Sequence, residues 1–215
     1  MRNPRTSKLI NLTGQSVRLS AADRTFLQDL SRLGIIDSQT STKEHYSELK
    51  GGSDRSLDRL SKAGLLKSHD VYLPNGKFTK AYSFSNKEIA KAWGGQVAMI
   101  GARRMEVHEL ITSRLYYELE RPQDFRISSN FNDSDKTMLG RYCMGEDGKA
   151  TAPDAMYTSN SGELVFVEAD SGHYNKAQIK NKQNAWGNFR QVWGQPAKCQ
   201  CHVKSSNQVA VHKIV

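Results

Sequence analysis

The sequence predicts an α/β chain of the α+β kind, built in two parts. Two observations predict it. Between residues 20 and 93, three stretches with helical spacing of apolar residues lead into two strand-like runs around a Pro-Asn-Gly turn. Beyond residue 96, a long helical stretch leads into strands and a further helix, the pattern of a mixed sheet flanked by helices. A chain of 215 residues, 37% hydrophobic and 25% charged, is large enough and apolar enough for two small domains.

Residues 1–19 open with Arg2, Arg5 and Lys8 and have no apolar run behind them. This excludes a signal peptide and predicts a basic, flexible arm. Residues 20–33 predict a helix: Ser20 can cap it, Phe26, Leu27, Leu30 and Leu33 share one face, and Gly34 ends it. Ser41 or Thr42 is expected to cap a short second helix that buries Tyr46 and Leu49. Gly51-Gly52 breaks the chain, and Ser53 is placed to cap a third helix with Leu57 and Leu60 inward. Val71-Tyr72 and Phe78 to Phe84 read as strands joined by Pro74-Asn75-Gly76, and a helix near Asn86 to Trp93 closes a domain of residues 20–95.

In the second part, residues 96–215, a helix is predicted from about Val97 to Glu120, ended by Arg121-Pro122. Phe125 to Ser128 reads as a strand. Residues 129–151 are polar and read as a long loop around a short strand near Arg141 to Met144. Two clearer strands, Asp154 to Tyr157 and Leu164 to Asp170, flank Ser159-Asn160-Ser161-Gly162. A helix is expected from about Tyr174 to Val192, with closing strands in Cys199 to Lys204 and Val209 to Val215.

Three helices followed by a hairpin is the order of a winged helix-turn-helix, whose third helix enters the major groove of DNA. Arg55, Arg59 and Lys62 form one basic stripe on that helix, opposite the leucines, and Lys77 and Lys80 charge the wing. Lys and Arg number 31 against 22 acids, a net charge of +9 and a pI near 9.5. That excess suits a polyanion, because neutralising phosphates releases counterions. The alternative is a solvated helix face on a unit that binds protein. No stretch is apolar enough to insert in a membrane. Three cysteines, with no sign of export, predict a reduced, cytoplasmic protein.

The run Leu164 to Ala169 is apolar until it presents Glu168, with Asp170 two residues on. Period two puts both acids on one face, and the hairpin brings Asp154 beside them. Clustered carboxylates repel, and a hard divalent cation relieves the repulsion. Mg²⁺ or Mn²⁺ suits such a site and can support phosphodiester cleavage. On the following helix, Ile179, Trp186, Phe189 and Trp193 form an apolar stripe, and Lys182 falls on it. A lysine on a buried face needs a partner, and the carboxylates are the nearest. A snorkelling lysine in a structural ion pair is the alternative.

Pro153-Asp154 followed by Glu168-Ala169-Asp170 resembles the motif of the PD-(D/E)xK nucleases. Asp170 stands where that motif carries its lysine, and some members move the lysine to the next helix, where Lys182 lies. From about residue 20 to 190 the chain also resembles the MobC-type relaxase, or replication-relaxation, group of plasmid proteins. There a winged helix precedes a PDA…ExD-x-G…K…Y segment. The matches are Pro153-Asp154-Ala155, Glu168, Asp170, Gly172 and Lys182, with Trp186 in the aromatic place. The resemblance implies a nuclease-like second domain and site- and strand-specific nicking of double-stranded DNA at a plasmid transfer origin or related replication site. It implies a relaxosome accessory or coupling protein as partner. It also implies an acid from the first helix, for which Glu109 is preferred over Glu106, with His108 near the phosphate. The expected metal ligands are Asp154, Glu168 and Asp170, assisted by Lys182. A non-catalytic plasmid DNA-binding protein on a degenerate nuclease scaffold is the rival.

Other signals are weaker. Cys199-x-Cys201-His202 with Cys143 has poor spacing for zinc and fits a buried strand better. Tyr116-Tyr117 lacks the paired histidines that accompany nucleophilic tyrosines and fits helix packing. No Walker-type loop is present, so no ATP use is expected.

Overall fold

The computed structural model of the protein describes residues 9–11, 16–49, 53–73, 76–95, 103–172, 174–196 and 209–214. The chain divides into two compact units, one of residues up to Leu73 with Lys77–Arg103, the other from Arg104 onward. Both are mixed α and β. No helix among the described residues is long and apolar enough to cross a membrane.

The first unit begins with an antiparallel ribbon of β1 (Leu9–Asn11) and β2 (Ser16–Arg18). Val17 and Leu19 are both buried, as alternate residues of an extended run can be. The end of the expected flexible arm is therefore part of the fold. Residues 1–8, with Arg2, Arg5 and Lys8, lie outside the described residues. Helix α1 (Ala21–Leu33) starts at a capping box: Asp23 N donates to the Ser20 hydroxyl, and the Asp23 carboxylate accepts from Ser20 N. Gly34, at φ +78°, ends it.

Strand β3 (Ile36–Asp37) leads directly into α2 (Ser38–His45). Asp37 caps α2, accepting from Thr40 N at 2.9 Å. The expected cap, Ser41 or Thr42, is wrong by a turn: Ser41 lies inside the helix and donates to Asp37 O. Aspartate is at least as good a cap as serine, and it sits where the chain leaves the strand. Helix α3 (Asp54–Lys62) follows Ser53, whose hydroxyl is paired with Thr42 at 2.6 Å and makes no cap bond. Strands β4 (Leu66–Tyr72) and β5 (Phe78–Phe84) form the hairpin, and β3 pairs with the other edge of β5. Pro74 and Asn75 lie outside the described residues. Gly76 has φ +79°, a backbone only glycine adopts freely, and Leu73 N donates to Lys77 O across the turn. Helix α4 (Lys87–Ala92), capped by Asn86, closes the unit. Leucines of α1 and α3 meet Ile36, Val71, Ala81 and Phe84 of the sheet in a fully buried core.

The second unit holds α5 (Arg103–Glu118), β6 (Arg126–Ile127), a 3₁₀ turn at Ser128–Asn130, α6 (Asp133–Tyr142), β7 (Ala155–Thr158), β8 (Leu164–Ala169), α7 (Lys176–Ala185), β9 (Arg190–Pro196) and β10 (Val209–Ile214). The sheet order is β10-β9-β8-β7-β6. β6, β7 and β8 run antiparallel; β8, β9 and β10 run parallel. Parallel neighbours need a crossover, and α7 supplies it between β8 and β9.

Two stretches differ from expectation. The polar run 129–151 is not a loop: Asn132 and Asp135 form a capping box that starts α6, and Leu139 on it is buried. Helix α7 stops at Ala185 instead of running to Val192. Asn184, Gly187 and Asn188 are weak helix formers, and the chain re-enters the sheet as β9. Trp193 therefore reaches the core from a strand, yet Ile179, Trp186, Phe189 and Trp193 still share one cluster with Phe166, Met156 and Leu139. This core fills the sheet face beneath α6 and α7. On the other face, α5 comes so close to β9 that a Cβ on Gly194 would stand 2.5 Å from Leu115 Cδ1.

Candidate functional site

The end of the β7–β8 hairpin opposite its turn collects the chemistry-bearing side chains of the second unit. Asp154 precedes β7. Its backbone N donates to Val167 O at 3.0 Å, and its Oδ2 accepts from Ala169 N at 2.7 Å. Backbone bonds thus fix the carboxylate beside Glu168, the next-to-last residue of β8. Glu168 lies on the same strand face as Phe166, toward α7, and is 0% exposed.

Lys182 comes from α7. Ile179, Lys182 and Trp186 are three and four residues apart, so they share the inward face. The Lys182 ammonium forms an ion pair with Glu168 Oε1. It also donates to the Tyr174 hydroxyl at 3.2 Å and lies over the Tyr174 and Trp186 rings, at 4.8 and 5.3 Å from their centroids. The Trp186 indole N–H donates to Thr151 O at 2.8 Å, which holds the ring in place. From the opposite layer, His108 of α5 reaches Asp154: Nε2 to Oδ1 is 2.6 Å. Lys182 and His108 therefore approach the hairpin from opposite sides of the sheet.

The electrostatics follow from burial. Taking Glu168 out of water, beside the Asp154 charge, pushes its carboxyl up to about 8, although the Lys182 ammonium pulls the other way. Burial alone would lower the His108 imidazole. The hydrogen bond to Asp154 and the charges of Asp154 and Glu168 outweigh it, and the net direction is up. Burial and the same two carboxylates raise the Tyr174 phenol, so it stays protonated.

The expected trio of carboxylates is not gathered as one cluster. Among the described residues, no three His, Cys, Asp or Glu side chains stand close enough to hold a metal ion between them. Asp170 is fully buried, and its Oδ1 accepts from Gly172 N at 2.8 Å, as in an Asx turn. Glu168 Oε2 is buried with no hydrogen-bond partner among the described residues. Glu109 is on α5 and half-buried; its neighbour His108, not Glu109, bonds Asp154. The Glu106 side chain lies outside the described part of α5.

Sequence reasoning missed Tyr174 and the His108–Asp154 bond. Tyr174 had a signal: it precedes the Asn175 cap of α7, with Ile179 five residues on, the arrangement of a hydrophobic staple. The histidine had none, because its reach depends on how α5 packs on the sheet.

In the first unit the expected DNA-facing residues divide. Arg55 and Lys62 are exposed, and Lys62 pairs with Asp58 one turn back at 2.9 Å. Lys77 and Lys80 are exposed on the hairpin. Arg59 is different. Its NH2 donates to Asp23 Oδ2 at 2.6 Å and its NH1 to Arg18 O at 2.7 Å. Asp23 is fully buried and also accepts from the Tyr46 hydroxyl at 3.2 Å. Arg59 thus ties α3 to α1 and β2, although it falls on the basic stripe. With Arg18, Arg55, Asp58 and Lys62 it lines an open groove between β2 and α3.

Cys143 is buried in the core of the second unit, while Cys199, Cys201 and His202 lie outside the described residues. Tyr116 is buried against Phe125, with ring centroids 5.3 Å apart. No family of proteins, no curated protein and no solved structure matches the chain.

Proposed function

We propose that the protein is a metal-dependent DNA nicking endonuclease of the MobC relaxase kind, with a winged helix that finds the DNA and a PD-(D/E)xK-like unit that cuts one strand. One observation carries the reading: Lys182, from the helix after the hairpin, meets Glu168 beside a backbone-fixed Asp154. That is the placement a lysine moved from strand to helix requires. The order of α5, the antiparallel β6-β7-β8, the crossover α7 and the parallel β9 supports it, as a mixed sheet flanked by helices. In the first unit, three helices and a hairpin joined by β3 support the winged helix.

The residues fit a divalent cation. Glu168 Oε2 is an orphaned, buried carboxylate oxygen next to the Asp154 charge. Mg²⁺ and Mn²⁺ accept one or two carboxylates and keep several waters, so Asp154 and Glu168 would hold the ion. Such an ion lowers the pKa of water and offsets charge on phosphoryl oxygens. The chain's own groups do the rest. Lys182 places a fixed positive charge beside the phosphate, held there by Tyr174 and Trp186. His108 Nε2 stands ready to carry a proton at Asp154. In hydrolysis, the water oxygen bonds to phosphorus as one P–O ester bond breaks. A base takes the proton of the water, and the leaving oxygen gains one.

A second reading has its own observation. Asp154 and Glu168 are each already paired with a side chain of the protein, His108 and Lys182, as in a degenerate site kept for stability. The protein would then bind plasmid DNA without cutting it. The test is supercoiled plasmid carrying the native flanking DNA, incubated with Mg²⁺ or Mn²⁺. Conversion to open circle, lost in Asp154→Ala, Glu168→Ala and Lys182→Ala, supports the nickase. Tight binding without nicking, in every metal, overturns it.

A further inference from the structure

Most large apolar side chains of the first unit are buried; Leu49, expected to be buried, is 44% exposed, and two rings on the hairpin are exposed as well. Tyr72 and Phe78 face each other across β4 and β5, 52% and 67% exposed, with centroids 6.4 Å apart. Two adjacent aromatic rings held in water cost solubility and invite a partner. Their surroundings define it. Paired residues share a sheet face, so the rings lie on the face that carries the next pair inward, Asp70 and Lys80. Lys80 is near enough to α3 for its charge to bear on Asp58. The rings lie beyond Lys80, toward the hairpin tip. Lys80 shares their face, and Lys77, exposed, precedes Phe78 in the chain. Residues 1–103 hold nearly all of the net charge, with Lys and Arg exceeding Asp and Glu by eight, against one in the remainder.

The occupant must therefore be negatively charged and must offer flat apolar faces. Paired duplex DNA satisfies the first requirement only, because its base faces are stacked inside the helix. Unpaired bases satisfy both, and aromatic rings next to lysines are how single strands are held. We infer that the Tyr72–Phe78 pair is a stacking platform for unpaired bases, with Lys77 and Lys80 on the adjoining phosphates, so that the protein binds locally melted DNA better than paired DNA. The inference rests on the DNA-binding reading of this unit and adds a preference to it. It also gives strand choice a physical basis, since an unpaired strand is distinguished from its complement.

The test is fluorescence anisotropy with three labelled DNAs of equal length at one salt concentration: a paired duplex, the same duplex with a central mismatched bubble, and a single strand. The wild type should bind the bubble about tenfold more tightly than the duplex, as expected for stacking of a base. In Tyr72→Ala/Phe78→Ala the bubble affinity should fall about tenfold, toward that variant's duplex affinity, while Phe78→Trp should keep the preference. Both side chains are exposed, and thermal melting checks that the variants fold. Equal wild-type binding to bubble and duplex, or an unchanged preference in the double variant, overturns the inference and leaves duplex recognition standing. A wild type that binds none of the three DNAs overturns both. A double variant that alters self-association, with DNA preference intact, assigns the rings to a copy-to-copy contact and also overturns it.

Discussion

Replacing Glu168 by glutamine should remove a fall in stability that accompanies rising pH. The carboxyl is wholly buried, and its folded-state pKa lies near 8, against an ordinary value of 4.5. An acid raised in this way contributes stability that is fully present below the unfolded value and is lost as pH rises through the folded one. At about 1.4 kcal/mol per pH unit, that gap sets an upper limit of roughly 5 kcal/mol. Glutamine keeps the shape and offers Lys182 an amide oxygen, but it has no proton to lose. Relative to Glu168→Gln, the wild type should therefore lose stability as pH rises between about pH 5 and pH 9, by no more than that limit. Urea unfolding at both ends of that range, in EDTA and at fixed ionic strength, measures it. Repeating the series with Mg²⁺ tests the cation site, because an ion bound to the carboxylate should restore alkaline stability to the wild type and not to the variant. Parallel pH profiles for the two proteins would refute the argument, by showing that Glu168 is solvated or already neutralised.

Three further outcomes follow from the geometry. Asp23→Ala removes a capping box and leaves the Tyr46 hydroxyl and Arg59 without their shared acceptor, which should cost about 3 kcal/mol in chemical denaturation; a loss below about 1 kcal/mol would mean the network carries little. On the proposed DNA-binding function, Arg55→Ala and Lys62→Ala should each weaken duplex binding and reduce the salt slope by about 1. Arg59→Ala should lower stability and leave that slope unchanged, so a changed slope would return Arg59 to the DNA face. Burial raises the Cys143 thiol to about 11, so its peptide should stay unalkylated at neutral pH and react once denaturant is added; labelling of the native protein would place the thiol in water.

Where local chemistry decides structure, the sequence could be read directly. Ser20 and Gly34 bound α1 because capping and a left-handed backbone are properties of single residues. Lys182 could be placed against the hairpin carboxylates because a lysine on an apolar helical stripe has few ways to be satisfied, and the structure sets it on Glu168. The misses have the opposite cause. Helix α6 is mostly polar, and its one strong signal, Asn132 with Asp135, lies among residues that equally form loops. The end of α7 was overrun because Trp186, Phe189 and Trp193 keep a helical spacing by coincidence while the last of them enters from a strand. Arg59 was assigned to DNA because spacing identifies a face without revealing what lies against it, here the Arg18 carbonyl of β2 and the Asp23 carboxylate of α1. The carboxylate cluster was overestimated at Asp170, because strand periodicity says nothing once β8 ends at Ala169 and the chain turns.

The β7–β8 hairpin divides its labour between its two ends. Asp154 and Glu168 occupy one end, and Ser159 to Gly162, exposed and closed by Ser159 N to Glu163 O, occupy the other. Lengthening a surface turn adds little closure entropy and leaves the paired register untouched. The turn at Asn160-Ser161 is accordingly a place to graft an affinity tag or a dye-bearing peptide, a strand's length from the acids. A protein tethered there could be held on a surface with its hairpin acids facing away from the anchor.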